Sequence, residues 1–233
     1  MDVYWLEQDQ ADVPADDSWL GPAEAVRLRS MRFAKRRADW RLGRWTAKRA
    51  LIAFLRLPPT PPTLARIEVR AALSGAPEFW LAERPLALGI SLSHRAGRGI
   101  CAVAQSATAL GCDIEVIEPR SASFAADYFT AREQVLIAEV AAAERARILA
   151  LLWSAKESVL KALGVGLRWD TRRVAIALGR AWQLQSDEWA PLEARCDEEP
   201  LFEGWWQQSG RLIRTLVSSP PPDLPVALRL DRT

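Results

Sequence analysis

Four prolines within five positions, Pro58, Pro59, Pro61 and Pro62, set a hard stop on any helix that reaches them. Proline lacks the donor a helix interior needs and clashes with the turn before it. Upstream, Trp40, Ala47, Leu51 and Phe54, with Gly43 between, recur near a 3.6-residue period. That spacing predicts a helix ending at about Leu55, its apolar stripe buried and its arginines pointing elsewhere. Val3–Leu6 reads as an opening strand, and the Pro/Asp/Ser punctuation of residues 12–18 as a loop and helix start. Beyond the prolines, Arg66–Ala71, Ala87–Leu92, Gly99–Ala104 and Leu110–Val116 read as strands, from β-branched residues, alternation and Gly/Ser/Pro breaks.

The same outline then recurs. Thr130-Ala-Arg-Glu133 is a capping-box pattern opening a helical region that runs to about Leu163, with a break near Ala143–Glu144 and a stop at Gly164 and Gly166. Arg173–Leu178, Ala181–Gln185, Leu201–Trp206, Arg211–Ser218 and Val226–Leu230 follow as strands around Gly179, Gly204 and Gly210. The expected class is α+β, a pseudodimer of two similar halves, residues 1–108 and 109–233, joined near Ala107–Ala109. No residue-level repeat is evident between the halves, so the duplication rests on element order alone.

A chain of 233 residues, 49% hydrophobic and 26% charged, buries a core without staples. Its three cysteines, Cys101, Cys112 and Cys196, have no C-x-x-C spacing, which argues against a disulfide framework and a structural zinc site. The acidic opening (Asp2, Glu7, Asp9) and the lack of any run of 18 apolar residues predict a cytoplasmic protein without membrane contact. Charge is uneven: residues 1–108 carry 16 basic and 11 acidic side chains, and residues 109–233 carry 15 and 18. Ten Lys/Arg lie between Arg27 and Arg49 against the single acid Asp39, a composition that suits a polyanion.

Three constellations can carry chemistry. In Gly111-Cys-Asp113-Ile-Glu115 the two carboxylates share one side of a strand, a half-site for a hard cation that waters and a phosphate substrate can complete. A solvated strand face is the bland reading. In Trp153-Ser-Ala-Lys156-Glu157-Ser-Val-Leu-Lys161, Trp153, Glu157 and Lys161 share a helix face. They form either a surface Glu-Lys pair or a third carboxylate beside a lysine for phosphate oxygens. Ser91-Leu-Ser93-His94, read as a loop after a strand, holds the only histidine, with Arg95 and Arg98 following. A lone histidine is more often structural, yet this loop offers hydroxyl, imidazole and guanidinium donors to a phosphate.

In this order, with about 40 residues between the first two motifs, G-x-D-x-E, W-x-x-K-E-x-x-x-K and S-x-S-H resemble those of the 4′-phosphopantetheinyl transferases of the surfactin type. Lys35-Arg36-Arg37 with Gly43-Arg44, and Phe129-Thr130 with Glu133, add to the likeness. The resemblance implies transfer of the phosphopantetheine arm of coenzyme A to a serine of an apo acyl or peptidyl carrier protein, releasing adenosine 3′,5′-bisphosphate. It implies Mg²⁺, or Mn²⁺ in its place, on Asp113, Glu115 and Glu157, with Lys161 near the pyrophosphate and Glu157 as the candidate base. It further implies Ser93, His94, Arg36 and Arg44 at the nucleotide end of coenzyme A, and a monomer. Ser121–Thr130, with Phe124, Tyr128 and Phe129 after Arg120, is similar in position to the family's carrier-docking region; an ordinary amphipathic helix reads equally well. One departure is Gly75-Ala76-Pro77, where many members have Gly-Lys-Pro.

Two other readings compete. A nucleic-acid-binding module would use residues 27–49, with Trp40 and Trp45 among the basic side chains, although the nearly neutral total charge and acidic second half weigh against it. A Mg²⁺-dependent hydrolase of coenzyme A or a nucleotide would use the same three carboxylates on water.

Overall fold

The computed structural model describes residues 1–105, 109–121, 123–179, 182, 187–196 and 201–230. The segment expected as a strand at Ala181–Gln185 lies, but for Trp182, outside them. The chain divides into two compact units, Thr108–Leu224 with Met1, and Asp2–Ala107 with Pro225–Thr233. Both mix helices with mainly antiparallel sheet, an α+β class.

In the unit made mainly of the first half, β1 (Val3–Asp9) pairs with β6 (Arg98–Ala104), which pairs with β5 (Gly89–Arg95). A short β12 (Val226–Ala227) joins β1 in parallel. A separate three-stranded sheet holds β2 (Ile67–Ala71), β3 (Pro77–Leu81) and β4 (Arg84–Pro85). The helices are α1 (Pro22–Ser30), α2 (Ala34–Leu55) and α3 (Pro61–Ala65), and the expected single helical stretch is broken at residues 31–33. Leu28, Leu51, Ile67, Phe79 and Val103 belong to the core here.

In the other unit, β7 (Ala109–Val116), β11 (Leu212–Ser219), β10 (Phe202–Ser209), β9 (Ala190–Cys196) and β8 (Val174–Ala177) form one sheet in that order. The short α4 (Phe124–Tyr128) precedes α5 (Ala131–Glu139) and the long α6 (Arg145–Ala162). The capping box forms as its spacing predicts: the Thr130 hydroxyl accepts from Glu133 N at 3.3 Å, and Glu133 accepts from Thr130 N at 2.8 Å. The break after it falls at residues 140–144, around a 3-10 turn at Ala142–Glu144.

Glu133 does more than cap. Its other oxygen accepts from Ile176 N at 2.9 Å, and its carboxylate pairs at 2.9 Å with Lys156 of α6, whose fully buried ammonium also donates to the carbonyls of Thr171 and Val174. The first unit holds the same device. Glu24, third residue of α1, accepts from Gly21 N and from Val69 N, both at 3.2 Å, and pairs at 2.5 Å with Lys48 of α2. Lys48, also fully buried, donates to the carbonyls of Trp19 and Leu64 at 2.9 and 3.0 Å. Placing Lys48 opposite Lys156 aligns Trp45-Thr46-Ala47-Lys48 with Trp153-Ser154-Ala155-Lys156, a residue-level repeat that inspection of the sequence overlooks. Lys48, counted among the ten basic residues whose composition suits a polyanion, lies instead in the core, where only a paired and fully hydrogen-bonded charge is tolerated.

Candidate functional site

Gly111 brings the strand motif and the helix motif together. A Cβ built on Gly111 would lie 1.7 Å from the carbonyl oxygen of Ser158, so only glycine allows β7 to touch the backbone of α6. The Ser154 and Ser158 hydroxyls also meet that of Thr215 on β11, at 2.9 and 2.7 Å, fixing where the helix sits along the sheet.

With that register set, Lys161 reaches the strand: its ammonium donates to Asp113 Oδ1 at 2.6 Å and to the Cys112 carbonyl at 3.2 Å. Asp113 is 4% exposed, which rules out the solvated strand face. Burial pushes the Lys161 pKa down, but the Asp113 charge and hydrogen bond, with the charges of Cys112 and Glu157, together outweigh it and the net shift is upward. Glu157, one turn before Lys161, is half-buried, and its carboxyl is pushed up, first by burial and then by the charges of Asp113 and Glu115, with Lys161 opposing. The three carboxylates therefore share one field. Glu115 is itself held by Arg120 at 2.9 Å. Among the described residues no group of three His, Cys, Asp or Glu side chains is drawn together closely enough to hold a metal ion. Asp113 and Glu115 are each engaged by a cation instead. The donor set is all-oxygen and anionic, which fits a hard divalent cation once the side chains turn from their present partners.

Trp153, on the same face of α6, packs edge-on against Phe124 and Tyr128, with ring centroids 5.2 and 5.0 Å away. Arg120 lies 5.2 Å over Phe124, so one guanidinium touches both Glu115 and this aromatic cluster. Phe129 is fully buried core, whereas Tyr128 is 37% exposed. Among the described residues of the segment similar in position to the carrier-docking region, Ser121, Ser123, Ala126, Asp127 and Tyr128 are exposed and Phe124 is half-buried beside them.

In the other unit, Arg36 and His94 line a cavity of about 490 Å³ together with Phe33, Lys35, Asp39 and Trp40. Arg44 sits behind it, its guanidinium 4.9 Å over the Trp40 ring and 3.8 Å from Glu24. Burial lowers the Arg44 pKa, with Glu24 opposing. Ser93 and His94 lie within β5, not in a loop after it; the turn comes at Ala96-Gly97, where both φ angles are positive. Neighbouring side chains on a strand face opposite ways, so Ser93 and His94 do not present one joint surface. Trp40 and Phe33 were missed as cavity residues. The signal for Trp40 was its place midway between Arg36 and Arg44, at i+4 and i+8 on one helix face.

The basic stretch is divided: Arg27, Arg29, Arg32, Lys35 and Arg36 are exposed, while its second part is used by the fold. Arg41 is spent on Asp17 and nearby carbonyls, Arg44 leans on Glu24, and Lys48 is buried against Glu24. Acids outside the 27–49 window supply the countercharge. Among the described residues no helix is long and apolar enough to cross a membrane.

Comparison with known families bears on the second unit. Residues 109–210 match the 4′-phosphopantetheinyl transferase superfamily. The matched stretch contains Asp113, Glu115, Glu157 and Lys161. Among solved structures, the holo-(acyl-carrier-protein) synthase of Helicobacter pylori, determined in complex with coenzyme A, is similar over 44% of this chain and 97% of its own. The identity is 18% and the TM-score 0.35. A comparison with curated proteins finds no match.

Proposed function

We propose that this protein is a 4′-phosphopantetheinyl transferase of the surfactin type, moving the phosphopantetheine arm of coenzyme A onto a serine of an apo acyl or peptidyl carrier protein. The observation that carries the reading is the Gly111–Ser158 approach, which sets Asp113 against Lys161, itself one helical turn after Glu157, inside the stretch that matches the superfamily. Asp113, Glu115 and Glu157 are the residues that would hold Mg²⁺, or Mn²⁺; the ion would neutralise pyrophosphate charge and help align it.

This chain's own groups do the rest. Lys161 presents a mobile point charge to phosphate oxygens in exchange for Asp113. Glu157, with its pKa held above the ordinary glutamate range, is suited to take the proton of the attacking serine hydroxyl as the oxygen bonds to the β-phosphorus. The bond from that phosphorus to the nucleotide's phosphate oxygen breaks, and adenosine 3′,5′-bisphosphate leaves. Arg36, Lys35 and His94, around one cavity with Trp40, suit the phosphates and base of the nucleotide end, and Arg44 supports that wall through the Trp40 ring; Ser93 is not among the described residues lining it. The Phe124–Tyr128 edge is the surface assigned to the carrier protein.

The test is intact mass spectrometry of an apo carrier protein incubated with this protein, coenzyme A and Mg²⁺, beside Glu157→Gln and chelator controls. A gain of one phosphopantetheine, lost in both controls, is expected. Breakdown of coenzyme A without any carrier would convert the reading to a hydrolase, and no reaction with carriers from several pathways would end it.

A further inference from the structure

The repeat shared by the two units places Arg49 where the other unit has Glu157, directly after the buried lysine. The same position on the same scaffold therefore carries opposite charge. We propose that the unit formed by residues 2–107 and 225–233 holds a second, anion-binding site at the C-terminal end of α2, built from Arg49, Arg56 and Arg229 and taking a phosphate-class anion.

Arg49, Arg56 and Arg229 line one cavity of about 380 Å³, with Ile52, Leu57 and Pro59 supplying apolar wall, and none of the described residues lining it is acidic. Arg49 is shared with an adjoining cavity of about 430 Å³ that contains Asp12 and Asp16. Arg49 is only partly used by the fold. Its guanidinium lies 5.4 Å over the Trp45 ring, which satisfies its face, but its Nε is buried with no hydrogen-bond partner. A buried N–H of a charged group left in this state is costly, and an anion in the cavity would meet the other N–H groups of the same guanidinium as charge-assisted hydrogen bonds. Burial lowers the pKa of Arg49 and the Asp12 charge raises it, in keeping with a cation short of solvent.

Arg56 adds an independent observation. It terminates α2 in the left-handed region, φ 53° and ψ 43°, a place where glycine is the unstrained choice. The residue in that strained position carries a long cationic side chain, and it is one of those lining the cavity. The carbonyl end of α2 contributes about half a negative charge at this spot, which three guanidiniums outweigh. The site lies apart from the Arg36–His94 cavity, shares no lining residue with it, and does not rest on the transferase reading.

The proposal is tested by titrating the full chain with inorganic phosphate, and separately with glycerol 3-phosphate, at constant ionic strength. Thermal stability and the Nε–Hε resonance of Arg49 are followed, the latter assigned through Arg49→Lys. A saturable rise in Tm together with a shift of the Arg49 resonance is expected, weakened roughly tenfold or more in Arg229→Gln and in Arg56→Gly but kept in Arg36→Gln. Arg56→Gly should at the same time raise the ligand-free Tm, because strain is removed; a purely structural role would not give opposite changes in stability and binding. Tighter binding of the ester assigns a phosphate monoester whose stem lies on the apolar wall, and equal binding assigns the free ion. An unmoved Arg49 resonance overturns the proposal, as does a response lost only in Arg36→Gln or unchanged in every variant.

Discussion

Replacing Gly111 by alanine tests how the two motifs are held together. The added methyl carbon would sit 1.7 Å from Ser158 O and 2.7 Å from its carbonyl carbon, where ordinary contact begins at about 3.4 Å, so helix and strand must part by well over 1 Å. Both obstacles are backbone, and neither can swing aside as a side chain would. Parting by that amount lengthens the 2.6 Å Lys161–Asp113 contact to about 4 Å. The overpacking costs about 1–3 kcal/mol. Loss of a charge-assisted hydrogen bond at a largely buried carboxylate adds about 1.5–3 kcal/mol. The sum, about 2.5–6 kcal/mol, is a large part of the stability of an ordinary domain but leaves a folded population at low denaturant. Equilibrium unfolding in urea should show a much lower midpoint with an unchanged slope, and phosphopantetheine transfer should fall with it even where the protein is folded. A Gly111→Ala protein within about 1 kcal/mol of wild type would refute the argument, since the clash would then have been absorbed without separating the motifs.

Gly43 is the contrast: a Cβ there meets nothing within 4 Å, so Gly43→Ala in the interior of α2 should stabilise by about 0.5–1 kcal/mol, read from the same urea curves. Glu157 titrates higher in the folded chain than in the unfolded one, so it favours folding less as pH rises through the window between those two values. In chelator, Glu157→Gln should therefore exceed wild-type Tm at neutral pH, the gap closing below the ordinary glutamate range; a constant gap across pH would contradict this. Lys156→Met strands the buried Glu133 carboxylate and should cost about 3–5 kcal/mol, partly recovered by adding Glu133→Gln. Lys48→Met, paired with Glu24→Gln, should behave alike, and a neutral Lys48→Met would show that the two devices are not equivalent. Arg36→Gln and His94→Ala should each weaken coenzyme A binding by roughly tenfold, measured by calorimetry; unchanged affinity in both would remove that cavity from the proposed function.

The site motifs were legible because their chemistry lies in residue type and spacing: Gly111, Asp113, Glu115, Glu157 and Lys161 all fall on elements whose periodicity was plain. Helix ends signalled by caps and breakers were legible as well, at Thr130, Pro58 and Gly164. Three strands were not. Pro77–Leu81 opens on proline, Arg84–Pro85 holds two residues, and Ala190–Cys196 buries only Leu192 and Ala194, too faint an alternation between charged neighbours. Ser93-His94-Arg95 read as a loop from its polar composition, yet pairing with Arg98–Ile100 keeps it in strand form. The buried lysines were illegible for a deeper reason. A lysine in an Arg-rich helix looks solvated, and only the fold brings a capping glutamate and two carbonyls to meet it. The repeat stayed hidden with them, since four similar residues stand out only when their partners are known to coincide.

The short parallel strand at Val226–Ala227 has a consequence for how the chain is made. Leu228 donates to Trp5 O at 2.8 Å, and Leu228 and Leu230 pack on the core around Leu51 and Phe79. Until those residues leave the ribosome, β1 keeps one bare edge and this core stays partly uncovered. Synthesis runs from the N-terminus, yet the unit begun first is the last to be finished, after the whole of residues 108–224 has had time to fold. A nascent chain stalled just short of residue 225 should thus display an unpaired strand edge, the kind of surface on which chaperones and aggregation compete.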